Sequence, residues 1–135
     1  ENNLRSFVEE DKLVFEKVAL SDKLGVVPFD NSLSKWSSHI SLGGQVKVET
    51  NYIDNVVGDS KVTFMKFDIE GSELIALKGG KNCIINNRPR MAISVYHSDD
   101  DIERIMNYLI SLSCNYHFAL RHYHSDAAET ILYVF

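Results

Sequence analysis

The stretch Val62-Thr-Phe-Met-Lys-Phe-Asp-Ile-Glu-Gly71, continuing into Ser72-Glu-Leu-Ile-Ala-Leu-Lys-Gly-Gly80, leaves few folds open to this chain. Val62, Phe64, Met65 and Phe67 form an apolar, β-prone run of strand length, and Gly71 breaks it before a helical pattern begins. The order is strand, tight turn, helix. A strand repeats its side chains every two residues, so Lys66, Asp68 and Glu70 are expected on one side, with successive members roughly 6–7 Å apart. In an open α/β sheet, ligands bind beyond the carboxyl ends of the strands, which is where Asp68 and Glu70 fall. They are the first candidates for chemistry.

The flanking sequence supplies a sheet for that strand. Glu1 to Asp11 reads as a short polar helix with Leu4, Phe7 and Val8 on one face. Leu13 to Leu20 reads as a strand ending at Ser21-Asp22-Lys23. Gly25 to Phe29 reads as a second strand, and Pro28, which lacks a ladder donor, puts it at an edge or makes it irregular. Asn31 to Gly44, rich in Ser and holding Trp36, His39 and Ile40, reads as a loop. Gln45 to Thr50 alternates as a half-solvated strand does and is placed to pair antiparallel with residues 25–29. Tyr52 to Val57 is a helical turn.

After Gly71, Ser72 is placed to cap a helix whose buried face is Leu74, Ile75 and Leu77. Gly79-Gly80 interrupts this helix, and Lys81 to Asn87 restarts it until Arg88-Pro89. Arg90 to Tyr96 is a continuous apolar strand of the kind buried on both faces, ending at Tyr96-His97. Ser98-Asp-Asp-Asp101 opens a further helix, with Ser98 as cap and Asp101 at the acidic position of a capping box. Ile102, Ile105, Met106, Leu109 and Leu112 form its core stripe. The Asp triplet is read as capping charge rather than a metal cluster. Tyr116–Tyr123 and Thr130–Phe135 form a closing hairpin. Strands alternating with helices point to an α/β fold with a mostly parallel sheet.

At 135 residues, 44% hydrophobic and 24% charged, the chain suits one folded domain. A net charge of −5 argues against nucleic acid or an anionic membrane as the main partner. No run approaches the roughly 20 apolar residues of a membrane helix. Cys83 and Cys114 lack metal or redox spacing and are expected as buried free thiols, which favours a reducing cytoplasm.

Five blocks, taken together and in order, resemble the C-terminal part of FkbM-type methyltransferases. They are Lys17-Val-Ala-Leu-Ser-Asp22; Val48-Glu-Thr50 with Asp54; Met65-Lys-Phe-Asp-Ile-Glu-Gly-Ser-Glu-Leu74 with Leu77-Lys-Gly79; Pro89 with Ile93-Ser-Val-Tyr-His97; and Leu120-Arg-His-Tyr123 with Glu129-Thr-Ile-Leu-Tyr133. The resemblance implies a Rossmann-like class I methyltransferase sheet, mostly parallel with a C-terminal antiparallel hairpin. It also implies S-adenosylmethionine as cofactor, and methyl transfer to a hydroxyl of a sugar or natural-product-like acceptor, a small molecule or glycan. The family's glycine-rich cofactor loop would lie upstream of Glu1, and no GxG occurs in the 135 residues. Residues 1–135 are therefore expected to be the C-terminal portion of one truncated domain. It lacks the N-terminal cofactor-binding strands, is inactive alone, and is prone to self-association through an uncovered sheet edge.

Within that frame Asp68 is the leading catalytic candidate, with Glu70 beside it and His97 as an alternative base or acceptor-positioning group. Ser21 and Asp22, at the end of the strand that passes the adenine in class I methyltransferases, are the cofactor-binding candidates. A divalent metal on Asp68 and Glu70 is considered and not expected. The alternatives are a metal-dependent hydrolase using Asp68, Glu70 and His97, and a non-catalytic domain that keeps the fold.

Overall fold

The computed structural model describes residues 12–30, 39–40, 46–125 and 129–135. The helix expected over residues 1–11, Trp36 and most of the Ser-rich loop lie outside them. Among these residues the elements are, in order, β1 (Ala19–Leu20), β2 (Gly25–Asp30), β3 (His39–Ile40), β4 (Val46–Asn51), α1 (Ile53–Val57), β5 (Phe64–Phe67), α2 (Glu73–Gly79), α3 (Lys81–Asn87), β6 (Arg90–Ser94), α4 (Asp101–Ser111), β7 (Phe118–His122) and β8 (Thr130–Val134).

Among the described residues the strands form two four-stranded sheets, β1-β4-β2-β3 and β5-β6-β8-β7. Parallel pairing is confined to β1/β4 and β5/β6; the other four pairs are antiparallel. The expected mostly parallel sheet is thus corrected to two mixed sheets. β2/β3 and β7/β8, each consecutive in sequence, pair antiparallel, whereas the crossover through α2 and α3 brings β6 back parallel to β5. Among the described residues β1 and β5 are edge strands, each paired on one side.

The expected strand over 13–20 shrinks to Ala19–Leu20. These two residues pair with Thr50 and Asn51, whereas Val14 to Lys17 are exposed and outside any ladder. A strand needs a partner, and β propensity alone does not supply one. Pro28 behaves as its missing donor requires: β3 pairs only with Phe29 and Asp30, so Pro28 has a neighbour strand on one side only.

The core forms where α2, α3 and α4 cover the second sheet. Leu77, Ile84, Met91, Ile93, Ile105, Leu109, Leu132 and Val134 are all buried. β6 is buried from Met91 to Ser94 because it lies between two strands, which accounts for its unbroken apolar sequence. Cys83 and Cys114 are buried and free.

Two contacts tie the first sheet to this core. A Cβ at Gly79 would stand 2.1 Å from the Ser21 carbonyl oxygen, so only glycine lets α2 come this close to the end of β1. In α1, the Asp54 carboxylate accepts hydrogen bonds from the backbone N–H groups of Asn82 (3.0 Å) and Cys83 (2.7 Å). The cap residue of α3 is Gly80, which has no side chain, so a carboxylate distant in sequence satisfies these orphan donors.

Candidate active site

The carboxyl ends of β5 and β6 lie side by side because the strands are parallel, with Phe67 opposite Ile93. Just beyond β5, the Asp68 carboxylate accepts hydrogen bonds from Lys66 Nζ at 3.2 Å and from the Tyr96 hydroxyl at 3.1 Å. Partial burial pushes this carboxyl up. The Ser94, Lys66 and Tyr96 donors together outweigh burial and hold it below the usual aspartate value. Ser94 Oγ acts there as a nearby dipole, being fully buried and making no hydrogen bond of standard geometry. The Tyr96 hydroxyl is pushed up to about 12, first by burial and then by its bond to Asp68. The result is an ionised carboxylate with 41% of its side chain exposed to an approaching group.

Lys66 and Asp68 do share a side, as the strand period requires, but Glu70 does not continue the row. β5 ends at Phe67, and Glu70 adopts φ 56° and Gly71 φ 88°, so the chain turns left-handed. For a non-glycine residue this conformation is uncommon and strained, and it needs surrounding structure to hold it. The turn carries Glu70 to His97, with Oε2 3.6 Å from Nε2. On the other side of the ring, Nδ1 lies 3.3 Å from Glu73 Oε1. The imidazole, with 11% of its side chain exposed, is therefore held between two carboxylates. Its ring centroid is 4.2 Å from that of Tyr96, which links this cluster to Asp68.

Glu73 has 1% of its surface exposed although it opens α2. Ser72 occupies the cap position without a side-chain hydrogen bond, contrary to the capping expected of it. Glu73 reaches back instead, accepting the Ile69 N–H at 2.9 Å. Asp101, also buried, accepts the Ser98 N–H at 2.8 Å, which is the acidic half of the expected capping box. Potential ligand atoms of Glu73, His97 and Asp101 lie within 4.8 Å of one another.

The structure thus joins Glu70 to His97 and brings in Tyr96, Ser94, Glu73 and Asp101, which sequence reasoning missed as site residues. Ser94 and Tyr96 carried a signal in their position at the end of a buried strand; a glutamate opening a helix gave no sign of burial. Ser21 is buried, its N–H bonded to the Asn51 carbonyl at 2.8 Å, and its hydroxyl is 3.4 Å from the exposed Asp22 carboxylate. No contact among the described residues links Ser21 or Asp22 to Asp68, Glu70 or His97. A cleft of about 320 Å³ lies elsewhere, lined by Phe64, Arg90, Met91, Tyr133, Val134 and Phe135 at the amino ends of β5 and β6. In α/β sheets chemistry gathers at the carboxyl ends, so the cluster around Asp68 and His97, not the cleft, is the candidate site.

Comparison with known proteins bears on the family of the chain. No curated protein matches the chain. The crystal structure of methyltransferase FkbM from Methylobacillus flagellatus KT superimposes with a TM-score of 0.81 at 30% identity, over 99% of this chain and 32% of that one. The chain therefore spans about a third of that relative's length. The model of the methyltransferase FkbM domain matches residues 7–118, well over half of the sequence. The chain belongs to the FkbM methyltransferase family.

Proposed function

We propose that this chain forms the acceptor-side portion of an S-adenosylmethionine-dependent O-methyltransferase. Its acceptor is a hydroxyl on a sugar or natural-product-like molecule. The observation that carries the reading is Asp68. It is an ionised, partly exposed carboxylate at the carboxyl end of β5, fixed from two sides by Lys66 and Tyr96.

S-adenosylmethionine supplies an electrophilic methyl group on a sulfonium. Of the residues in this chain, the exposed Asp22 carboxylate suits the cofactor's amino and hydroxyl donors. Ser21 holds it on a strand end that is itself locked by Asn51 and Gly79. The glycine-rich loop that cradles such a cofactor is not among the 135 residues, so the chain alone is expected to be inactive.

Asp68 accepts a hydrogen bond from the acceptor hydroxyl and turns an oxygen lone pair toward the methyl group. Its lowered pKa makes it a weak base towards a neutral alcohol. Methylation first yields a protonated ether, a far stronger acid than a carboxylic acid, so Asp68 can take that proton as the C–O bond forms. Lys66 offsets the carboxylate's charge, and Tyr96 holds its orientation. Glu70 and His97 shape the neighbouring wall.

No helix among the described residues is long and apolar enough to cross a membrane, and the buried free thiols suit a reducing compartment such as the cytoplasm. The net negative charge disfavours nucleic acid. The open edge of β5, where Phe64 is 57% exposed, is suited to pairing with further strands of the enzyme or with a second copy of the chain. Light scattering tests the second copy: a monomer at high concentration removes it.

The catalytic reading is tested by labelled-methyl transfer in the full gene product. Asp68→Asn keeps shape and is expected to lower kcat/KM on the order of 100-fold, the scale of a lost proton acceptor and orienter. Unchanged transfer would refute the assignment.

A further inference from the structure

We infer that Glu73, His97 and Asp101 form a divalent-cation site of their own, suited to Zn²⁺ or Mn²⁺ and distinct from the Asp68 carboxylate. Three segments that meet only in the folded chain supply the donors: the start of α2, the strand end after β6 and the start of α4. Their ligand atoms fall within 4.8 Å of one another, a span that small side-chain movements close around one ion.

Several buried polar atoms of the cluster have no hydrogen-bond partner. Glu73 and Asp101 each use an oxygen to accept a backbone N–H, from Ile69 and Ser98 respectively. These bonds fix the orientation of each carboxylate, leaving its second oxygen to coordinate. In Glu73 that second oxygen, Oε2, is buried and has no hydrogen-bond partner. Both ring nitrogens of His97 also lack one, although each faces a carboxylate at ion-pair distance.

A cation near Nδ1 would give a partner to that nitrogen and to Glu73 Oε2. With the ion in place, Glu70 Oε2, 3.6 Å from Nε2, would take the Nε2 proton as its acceptor and leave the Nδ1 lone pair for the ion. The result is the carboxylate–histidine–metal relation in which an outer carboxylate sets the tautomer. Two carboxylates and one imidazole suit a borderline ion, and three protein ligands leave a coordination position for water or another oxygen donor. The ion would pin the starts of α2 and α4 to the strand end carrying Tyr96, whose ring packs on His97.

Titration calorimetry of the chelator-treated chain with ZnCl₂ and with MnCl₂ tests the site. The expected result is one equivalent bound, with a metal-dependent rise in Tm. Glu73→Gln and Asp101→Asn keep volume and the anchoring acceptor oxygen, and each should weaken binding tenfold or more and abolish the rise. Proton–nitrogen correlation spectra of His97 should show Nε2 protonated and Nδ1 shifted by Zn²⁺. Glu70→Leu, a change at the positioning residue, should erase the tautomer preference. No binding at 100 µM of either metal, or equal binding by wild type and both variants, overturns the site. If Glu73→Gln fails to fold, Asp101→Asn decides alone.

Discussion

Gly79→Ala puts the tightest contact in the molecule to the test. The added Cβ would stand 2.1 Å from the Ser21 carbonyl oxygen and 2.9 Å from Tyr52 Cβ, where ordinary contact begins at 3.4 Å. The first neighbour is more than an ångström too close, and it is backbone, so no rotamer change relieves it. α2 must separate from the end of β1, or the Ser21 N–H bond to Asn51 must loosen. Overpacking costs roughly 1–3 kcal/mol and more when backbone must move. The gain from alanine is at most about 1 kcal/mol and is smaller here, because Gly79 is the last residue of α2.

A net loss of about 2 kcal/mol or more follows from these terms, which for this chain length lowers Tm by roughly 6 °C or more. Urea unfolding followed by circular dichroism should show a lower midpoint with an unchanged m-value. Gly80→Ala is the control. Its new Cβ meets only the Ile53 side chain, at 3.1 and 3.2 Å, which can shift, and its loss should stay below about 1 kcal/mol. Gly79→Ala as stable as wild type, or equal losses at the two positions, would refute the reasoning.

Asp54→Ala removes the acceptor that caps α3 from a distance and should cost about 1–2 kcal/mol in urea unfolding, with Asp54→Asn recovering part of it. Because the folded state lowers the Asp68 pKa below 3.8, Asp68 contributes stability above that value and loses it as pH falls through the folded pKa; Asp68→Asn should flatten the fall in Tm on acidification below pH 4. The Tyr96 shift has the opposite sense: folding favours its neutral hydroxyl, and that contribution fades as pH rises from 10 toward about 12. In ultraviolet difference titration against Tyr96→Phe, the Tyr96 midpoint near 12 should fall in the Asp68→Asn background without reaching 10, because burial, the larger cause, remains.

What the sequence revealed and what it hid divide along the range of the interactions. The strand–turn–helix unit, the closing hairpin and the stripe of α4 depend on periodicity within one segment, and each is present. Pairing of strands distant in sequence is not encoded locally. The division into two sheets and the loss of strand over 13–18 therefore could not be read from alternation. The same limit applied to the site. Asp68 and Lys66 follow from period two, but Glu70 reaches His97 only because the chain turns through positive φ at that residue. Residue order alone does not announce such a turn.

Asp101 makes the sharpest case, because its sequence, Ser98-Asp-Asp-Asp101, is that of a capping box. Capping and ligation are alternatives only for a group with a single acceptor. A carboxylate has two oxygens, and the Ser98 N–H occupies Oδ2. That bond fixes the side chain at the start of α4, as a metal ligand also requires. Glu73 repeats the arrangement at the start of α2, with Ile69 as donor and Oε2 left over. Two helix starts that each bury a carboxylate, with ligand atoms within 4.8 Å of those of one histidine, make a site that neither capping signal discloses by itself. If the ion is bound there, Asp101→Asn should keep the cap and lose the metal. That separation is the outcome the two-oxygen argument requires; a variant that lost both together would show the carboxylate acting only as a cap.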